Sequence, residues 1–126
     1  MTGFDPSRVS DTVAAALSGP AGVGSVITVF SAVPGVVRTP ARRSLLRSAP
    51  ERVQIGDWRY EITQDGRLRA AHVVGDIVIA EETLDADAVG PHIARALAQL
   101  IGRYGSTICP HIDAAVDALR ISLGEG

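Results

Sequence analysis

The tripeptide Cys109-Pro110-His111 sets the chain's single thiol two residues ahead of a histidine. A thiolate at a helix N-terminus is stabilised by the helix dipole, and a nearby imidazolium helps, so Cys109 is the candidate reactive thiol. These letters match the first three of a Cys-Pro-His-Cys oxidoreductase motif, but position 112 is Ile and there is no resolving Cys. A thioredoxin fold also needs several strands after that helix, and only 14 residues follow Ile112. Disulfide exchange of that kind is excluded on topology, and the ordinary role for Cys109 is that of a small buried hydrophobe.

A closed zinc site pairs its ligands at short spacings. His72, His92, Cys109 and His111 supply one short pair and two scattered imidazoles, so no metal is expected. His92 reads as an exposed residue in the first turn of a helix, and His72 sits at the centre of a strand. Glu81-Glu82 and Asp85-Asp87 flank a strand-to-helix junction, where acids serve as caps. No triad order, phosphate-cradling glycine loop or dinucleotide fingerprint occurs, and Gly22-Val23-Gly24 is too short to be one. The expectation is a chain without catalysis and without a cofactor.

Arginine carries the stronger signal. All twelve basic residues are Arg, and eight of them fall between residues 38 and 69, giving that segment a net charge of +4. Residues 1–37 carry −1 and residues 70–126 carry −5. Arg42, Arg43 and Arg47 have no acid among them, and Arg59, Arg67 and Arg69 lie on a hairpin beyond. If the last three share a solvent face with Trp58 or Tyr60, the result is a cationic patch carrying an aromatic ring, a pattern that suits nucleic-acid phosphates and bases. These six Arg are the candidate contact residues. An overall charge of −2 and a pI near 5.8 work against a dedicated nucleic-acid binder.

The elements that position these residues follow from periodicity. Asp5-Pro6-Ser7 starts a helix, with Asp5 as cap and Pro6 at the first helical position. Val9, Val13, Ala16 and Leu17 share one face, and Gly19-Pro20 ends it. From Thr12 to Val37 there is no charge for 26 residues, but glycines and prolines interrupt it, with Val23 to Val33 as its longest apolar part. Eleven residues cannot span a bilayer as a helix. The segment around Val26-Ile27-Thr28-Val29-Phe30 is therefore a buried strand or a short helix, and no membrane span is expected.

In the basic segment, Pro40 opens a short helix in which Leu45 and Leu46 touch the core. Period-two alternation then takes over. Val53, Ile55, Trp58, Tyr60 and Ile62 form one strand with a bulge at Gly56-Asp57, Gln64-Asp65-Gly66 is a turn, Leu68 to Val74 returns, and Gly75-Asp76 leads to a third strand, Ile77 to Ala80. Two amphipathic helices follow. The first has Asp85 or Asp87 at its start, a broad apolar face from Val89 to Tyr104, and Gly105 as its stop. The second carries Ile108, Ile112, Ala115, Val116, Leu119 and Leu123 on one side. The fold class is α+β: an N-terminal helix closing one edge of a three-stranded antiparallel meander, whose apolar face seats a C-terminal antiparallel helix pair. Residues 1–50 hold the helix, apolar run and basic segment, 51–84 the meander, and 85–126 the helical pair, all in one domain.

The run IGDWRYEITQDGRLRAAHVVGDIVIAEETLDADAVGPHIARALAQLIGRYG, with VPGVVRTPARRSLL before it, resembles a domain of unknown function in small actinobacterial, chiefly mycobacterial, proteins. That resemblance implies a source and a compartment and carries over no site. Arg without Lys suits a GC-rich genome. The order helix, meander, helix is similar to that of small dimeric nucleoid-associated proteins of the YbaB type, although the long apolar insert departs from it.

A chain of 126 residues with 46% hydrophobic and 21% charged residues is neither disordered nor fibrous. No basic n-region precedes an apolar core, so no secretory signal is expected. One Cys cannot make an intramolecular disulfide and suits the cytoplasm. The apolar run at 21–37 gives more apolar surface than one small core hides, and self-association, most commonly as a symmetric dimer, is its ordinary remedy. The sequence thus favours a self-associating protein-interaction or adaptor module, with an Arg-rich nucleic-acid-binding face as the alternative.

Overall fold

The structure is a computed structural model that describes residues 4–18, 22–40, 42–43, 48–49 and 51–122. Helix α1, Pro6–Ser18, begins as its sequence requires: the Asp5 Oδ1 accepts from the Ser7 and Arg8 amides at 3.0 and 3.2 Å. It buries Val9, Thr12, Val13 and Ala16. The apolar run folds as a nine-residue helix α2, Gly22–Phe30, which buries Val26, Ile27 and Phe30. Among the described residues no helix is long and apolar enough to cross a membrane.

Seven strands follow among the described residues. They are β1 (Val37–Thr39), β2 (Arg42–Arg43), β3 (Ser48–Ala49), β4 (Arg52–Ile55), β5 (Trp58–Ile62), β6 (Leu68–Val74) and β7 (Ile77–Leu84). β2 and β3 pair as a small antiparallel ladder, where a helix was expected. The reason is local. Thr39 precedes Pro40 and is driven to extended backbone. A helix here would also stack like charges one turn apart, Arg43 on Arg47. Leu45, Leu46 and Arg47 lie outside the described residues.

The remaining five strands form one antiparallel sheet in the order β1-β4-β5-β6-β7, larger than the expected three-stranded meander. The difference arises mainly at Gly56-Asp57, which is a two-residue hairpin turn rather than a bulge: Ile55 faces Trp58 across it. Gly56 takes a φ of 61°, and the turn is pinned from outside. The Asp57 amide donates to Gln99 Oε1 at 2.9 Å, Gln99 Nε2 donates to Asp57 Oδ2 at 3.0 Å, and Arg103 Nη2 donates to Asp57 Oδ1 at 2.5 Å. β7 runs four residues beyond Ala80, and one extra residue, Ile79, bulges where His72 pairs with Ala80 but Val73 with Val78.

Helix α3, Ala86–Tyr104, ends as expected at Gly105, whose amide donates to the Ile101 carbonyl at 2.7 Å. A 3-10 turn, Ser106–Ile108, leads into α4, Cys109–Ser122. The helix arrangement corrects the expected α3–α4 pair and edge-closing α1. α3 and α2 lie against the sheet, α1 lies along α3, and α4 packs against α1 and α2. Gly90 permits the α1–α3 approach, since a Cβ there would lie 2.7 Å from the Ser10 carbonyl oxygen. Arg8 ties α1 to α4 through Asp113, at 3.3 Å, and Asp117, one turn apart. The core between helices and sheet is filled by Phe30, Ile55, Tyr60, Leu68, Ile93 and Leu97, among others.

Candidate functional site

The register divides the sheet into two faces. Trp58, Tyr60 and Ile62 on β5 pair with His72, Ala70 and Leu68 on β6 and look toward α2 and α3. The opposite face holds two rows across the strands. One row is Gln54, Arg59, Ala71 and Glu81; the next is Arg52, Glu61, Arg69 and Thr83. In the second row the Glu61 carboxylate accepts from Arg52 Nε at 3.3 Å and from Arg69 Nη1 at 2.9 Å. Its side chain is only 19% exposed, so the two guanidinium groups are held by one half-buried acid. Arg59 and Glu81 have no ion-pair partner among the described residues, and the small Ala71 lies between them.

The expected cationic patch is therefore redistributed. Arg59 and Arg69 do share a face, and Arg52, which the sequence reading passed over, joins them. Arg67 sits in the β5–β6 turn with its Nε 3.6 Å from Asp65. Arg42 and Arg43 form β2, and Arg47 lies outside the described residues. Trp58 and Tyr60 lie on the other side of the sheet, so this face lacks the aromatic ring that stacking on bases would require. The parity of 52 and 59 becomes legible only once Gly56-Asp57 is read as a two-residue turn.

The sheet ends at β7, whose outer edge pairs with no strand among the described residues. Residues 77–83 are all exposed, including Ile77 at 65%, Val78 at 39% and Ile79 at 58%, and Val74 on the adjoining strand is exposed as well. Three consecutive aliphatic residues on an open edge strand are unusual, because native edges are ordinarily charged, short or covered. The signal was present in the sequence: Ile77-Val78-Ile79-Ala80 has no alternation, which in an antiparallel strand means that both faces are apolar.

His92 is buried, 4% exposed, and not the exposed first-turn residue expected. Its position four residues before Ala96 and three after Val89 places it on the broad apolar face of α3. Its Nδ1 is 2.7 Å from the Tyr60 hydroxyl, its Nε2 is 3.9 Å from Glu82 Oε1, and Trp58 meets it edge-on while stacking on His72. Burial, followed by the positive charge of Arg95, holds the imidazole below its ordinary pKa, with Glu82 pulling the other way. Burial pushes the Tyr60 phenol far up. A protonated phenol and a neutral ring fit the assignment in which Tyr60 donates to Nδ1, leaving Nε2–H toward Glu82. This buried pair ties α3 to the sheet.

Cys109 is buried at the first position of α4. Among the described residues no three His, Cys, Asp or Glu side chains converge on a metal-sized space.

Fold and surface together define an α+β protein with four helices on a five-stranded antiparallel sheet, its charged face and one apolar edge left open among the described residues. Residues 1–121 match the family described as a domain of unknown function, DUF5073, and the chain belongs to that family. No curated protein and no solved structure matches it.

Proposed function

We propose that this chain is a non-catalytic protein-interaction module that associates with a second copy of itself along β7. The single observation that carries this reading is the open edge strand bearing exposed Ile77, Val78 and Ile79, with exposed Val74 beside it on β6. Hiding such an edge removes apolar surface from water and satisfies the outward-facing amides and carbonyls at once. A second copy is favoured over an unrelated partner because β7 is self-complementary about a two-fold axis through Val78. In that antiparallel register Ile77 faces Ile79 of the other copy. Ala80, Glu81 and Glu82 then run past the Gly75-Asp76 turn of the other copy, so the acids do not face one another. The acids and the bulge at Ile79 then confine pairing to the apolar centre and oppose open-ended stacking. The single free Cys109 and the resemblance to actinobacterial proteins support a cytoplasmic, actinobacterial setting for this association.

Native mass spectrometry with light scattering over a concentration series tests the reading. The expected result is twice the chain mass for the native sequence and the single chain mass for Ile79→Lys, which sets two like charges into the joint while leaving the folded monomer exposed to water at that position. A native chain that stays monomeric throughout, or an Ile79→Lys dimer, overturns it.

A further inference from the structure

The open face of the sheet carries a second site, independent of β7 pairing. Arg52, Arg59, Glu61, Arg69, Ala71 and Glu81 line a cavity of about 210 Å³. Its construction follows from the two cross-strand rows. Ala71 contributes a methyl group where its neighbours carry long charged chains, so a notch opens above it with Arg59 on one side and Glu81 on the other. The adjacent wall is the Arg52–Glu61–Arg69 triplet. There a single carboxylate holds two guanidinium groups by one N–H each, so both keep further donors directed elsewhere. Three guanidiniums against two carboxylates leave the notch with a charge of +1, in a chain whose overall charge is −2.

We infer that this notch is a binding site for a small organic oxyanion, a carboxylate or phosphate group received by Arg59 with the free donors of Arg52 and Arg69. Guanidinium is suited to this role because its planar N–H fork matches two oxygens of either group at once. Arg59 has no ion-pair partner among the described residues, so receiving an anion breaks no existing pair. Glu61 pre-orders the flanking guanidiniums, which lowers the entropy lost when the anion arrives. Glu81 at the β7 side repels a second negative charge, so the site selects a small head group over a polyanion, and the absence of an aromatic ring on this face points the same way.

The test is an NMR titration of ¹⁵N-labelled full-length protein at low salt, with inorganic phosphate and propionate as separate probes. Saturable amide shifts are expected at residues 52, 59, 61, 69, 71 and 81. The dissociation constant should be on the order of 1 mM or tighter. The probe that binds more tightly distinguishes phosphate from carboxylate chemistry. Arg59→Gln removes the unpartnered cation, and Ala71→Leu fills the notch without altering charge; each should weaken binding about tenfold, the loss of one charge-assisted contact. Arg67→Gln, in the turn outside the cavity, should leave it unchanged. Arg59 lies on a water-facing surface, so its variant keeps the fold even if Ala71→Leu does not. No saturable binding of either probe overturns the inference. So does equal weakening by Arg67→Gln, or binding confined to a single-stranded oligonucleotide. Because β7 is untouched in Arg59→Gln, its mass by light scattering should match that of the native chain, and a failure here is distinct from a failure of self-association.

Discussion

Tyr60→Phe removes one oxygen atom from the centre of the molecule and tests whether the Tyr60–His92 contact joins sheet to helix layer. Tyr60 is fully buried, and its hydroxyl lies 2.7 Å from His92 Nδ1. The phenyl ring refills the space, so the cost is the lost hydrogen bond plus an imidazole nitrogen left without a partner where water does not reach. A buried polar atom stranded in this way costs about 1–3 kcal/mol. For 126 residues the unfolding entropy is about 0.26 kcal/mol/K, so about 2 kcal/mol lowers Tm by about 8 °C. Differential scanning calorimetry at one fixed protein concentration reads this directly, since mass action would otherwise shift Tm. The pairing argument makes a second demand. If the loss in Tyr60→Phe comes from the stranded nitrogen, the double variant Tyr60→Phe/His92→Leu should be less destabilised than the two single losses added together. A fall in Tm below about 2 °C for Tyr60→Phe, or additivity in the double variant, would refute the reasoning.

The other predictions concern the packing of α3. Gly90→Ala improves helix propensity by about 1 kcal/mol, yet its Cβ would stand 2.7 Å from the Ser10 carbonyl oxygen, and forcing α1 away should cost about 1–3 kcal/mol; chemical denaturation should show net destabilisation, and a stabilised variant would show that α1 and α3 are not in close contact. Burial, and then Arg95, lower the His92 pKa in the folded state, so the unfolded chain takes up this proton at higher pH than the folded one. Stability from that difference is present above the ordinary imidazole pKa of about 6.5 and is lost as pH falls through it, levelling below the folded value. Tm measured from about pH 7.5 to about pH 5.5 should therefore fall more steeply for the native chain than for His92→Leu, and parallel curves would contradict a buried neutral ring.

Much of the local structure was legible because it rests on single-residue chemistry. Asp5-Pro6 set the start of α1, Gly105 set the end of α3, and Gly66 and Gly75, both at positive φ, set two hairpins. The errors share a different cause, being decided by contacts distant in sequence. Gly56-Asp57 reads equally well as bulge or turn until Gln99 and Arg103, more than forty residues away, hold the turn in place. His92 reads as polar and exposed until Tyr60 supplies a buried partner. The seating of α4 on α1 and α2 was signalled only by Asp113 and Asp117 lying one turn apart opposite a lone Arg8, a cue too weak to outweigh the short α3–α4 connection. The site suffered from the same limit. Composition located the Arg-rich segment, but parity assigns Arg52, Arg59 and Arg69 to one face only after the turn between β4 and β5 is known.

Both proposed surfaces follow from one architectural fact, that α2 and α3 cover a single face of the sheet. An uncovered face must be made polar, and here crossed Arg and Glu rows do so, with a notch at Ala71 where the rows fail to close. An uncovered edge must be charged, shortened or paired, and β7 is charged only beyond Ala80. Two-fold pairing about Val78 would run the two sheets into one, with both helix layers on one side and both charged faces on the other. The two Glu81-bearing notches would then lie side by side across the joint, open to water. Association and anion binding are thus compatible in one molecule, yet separable by substitution: Ile79→Lys should change the mass and leave the anion shifts in place, whereas Arg59→Gln should do the reverse. If Ile79→Lys abolished both, the notch would have to be completed by the second copy, and its lining would need to be reassigned across the joint.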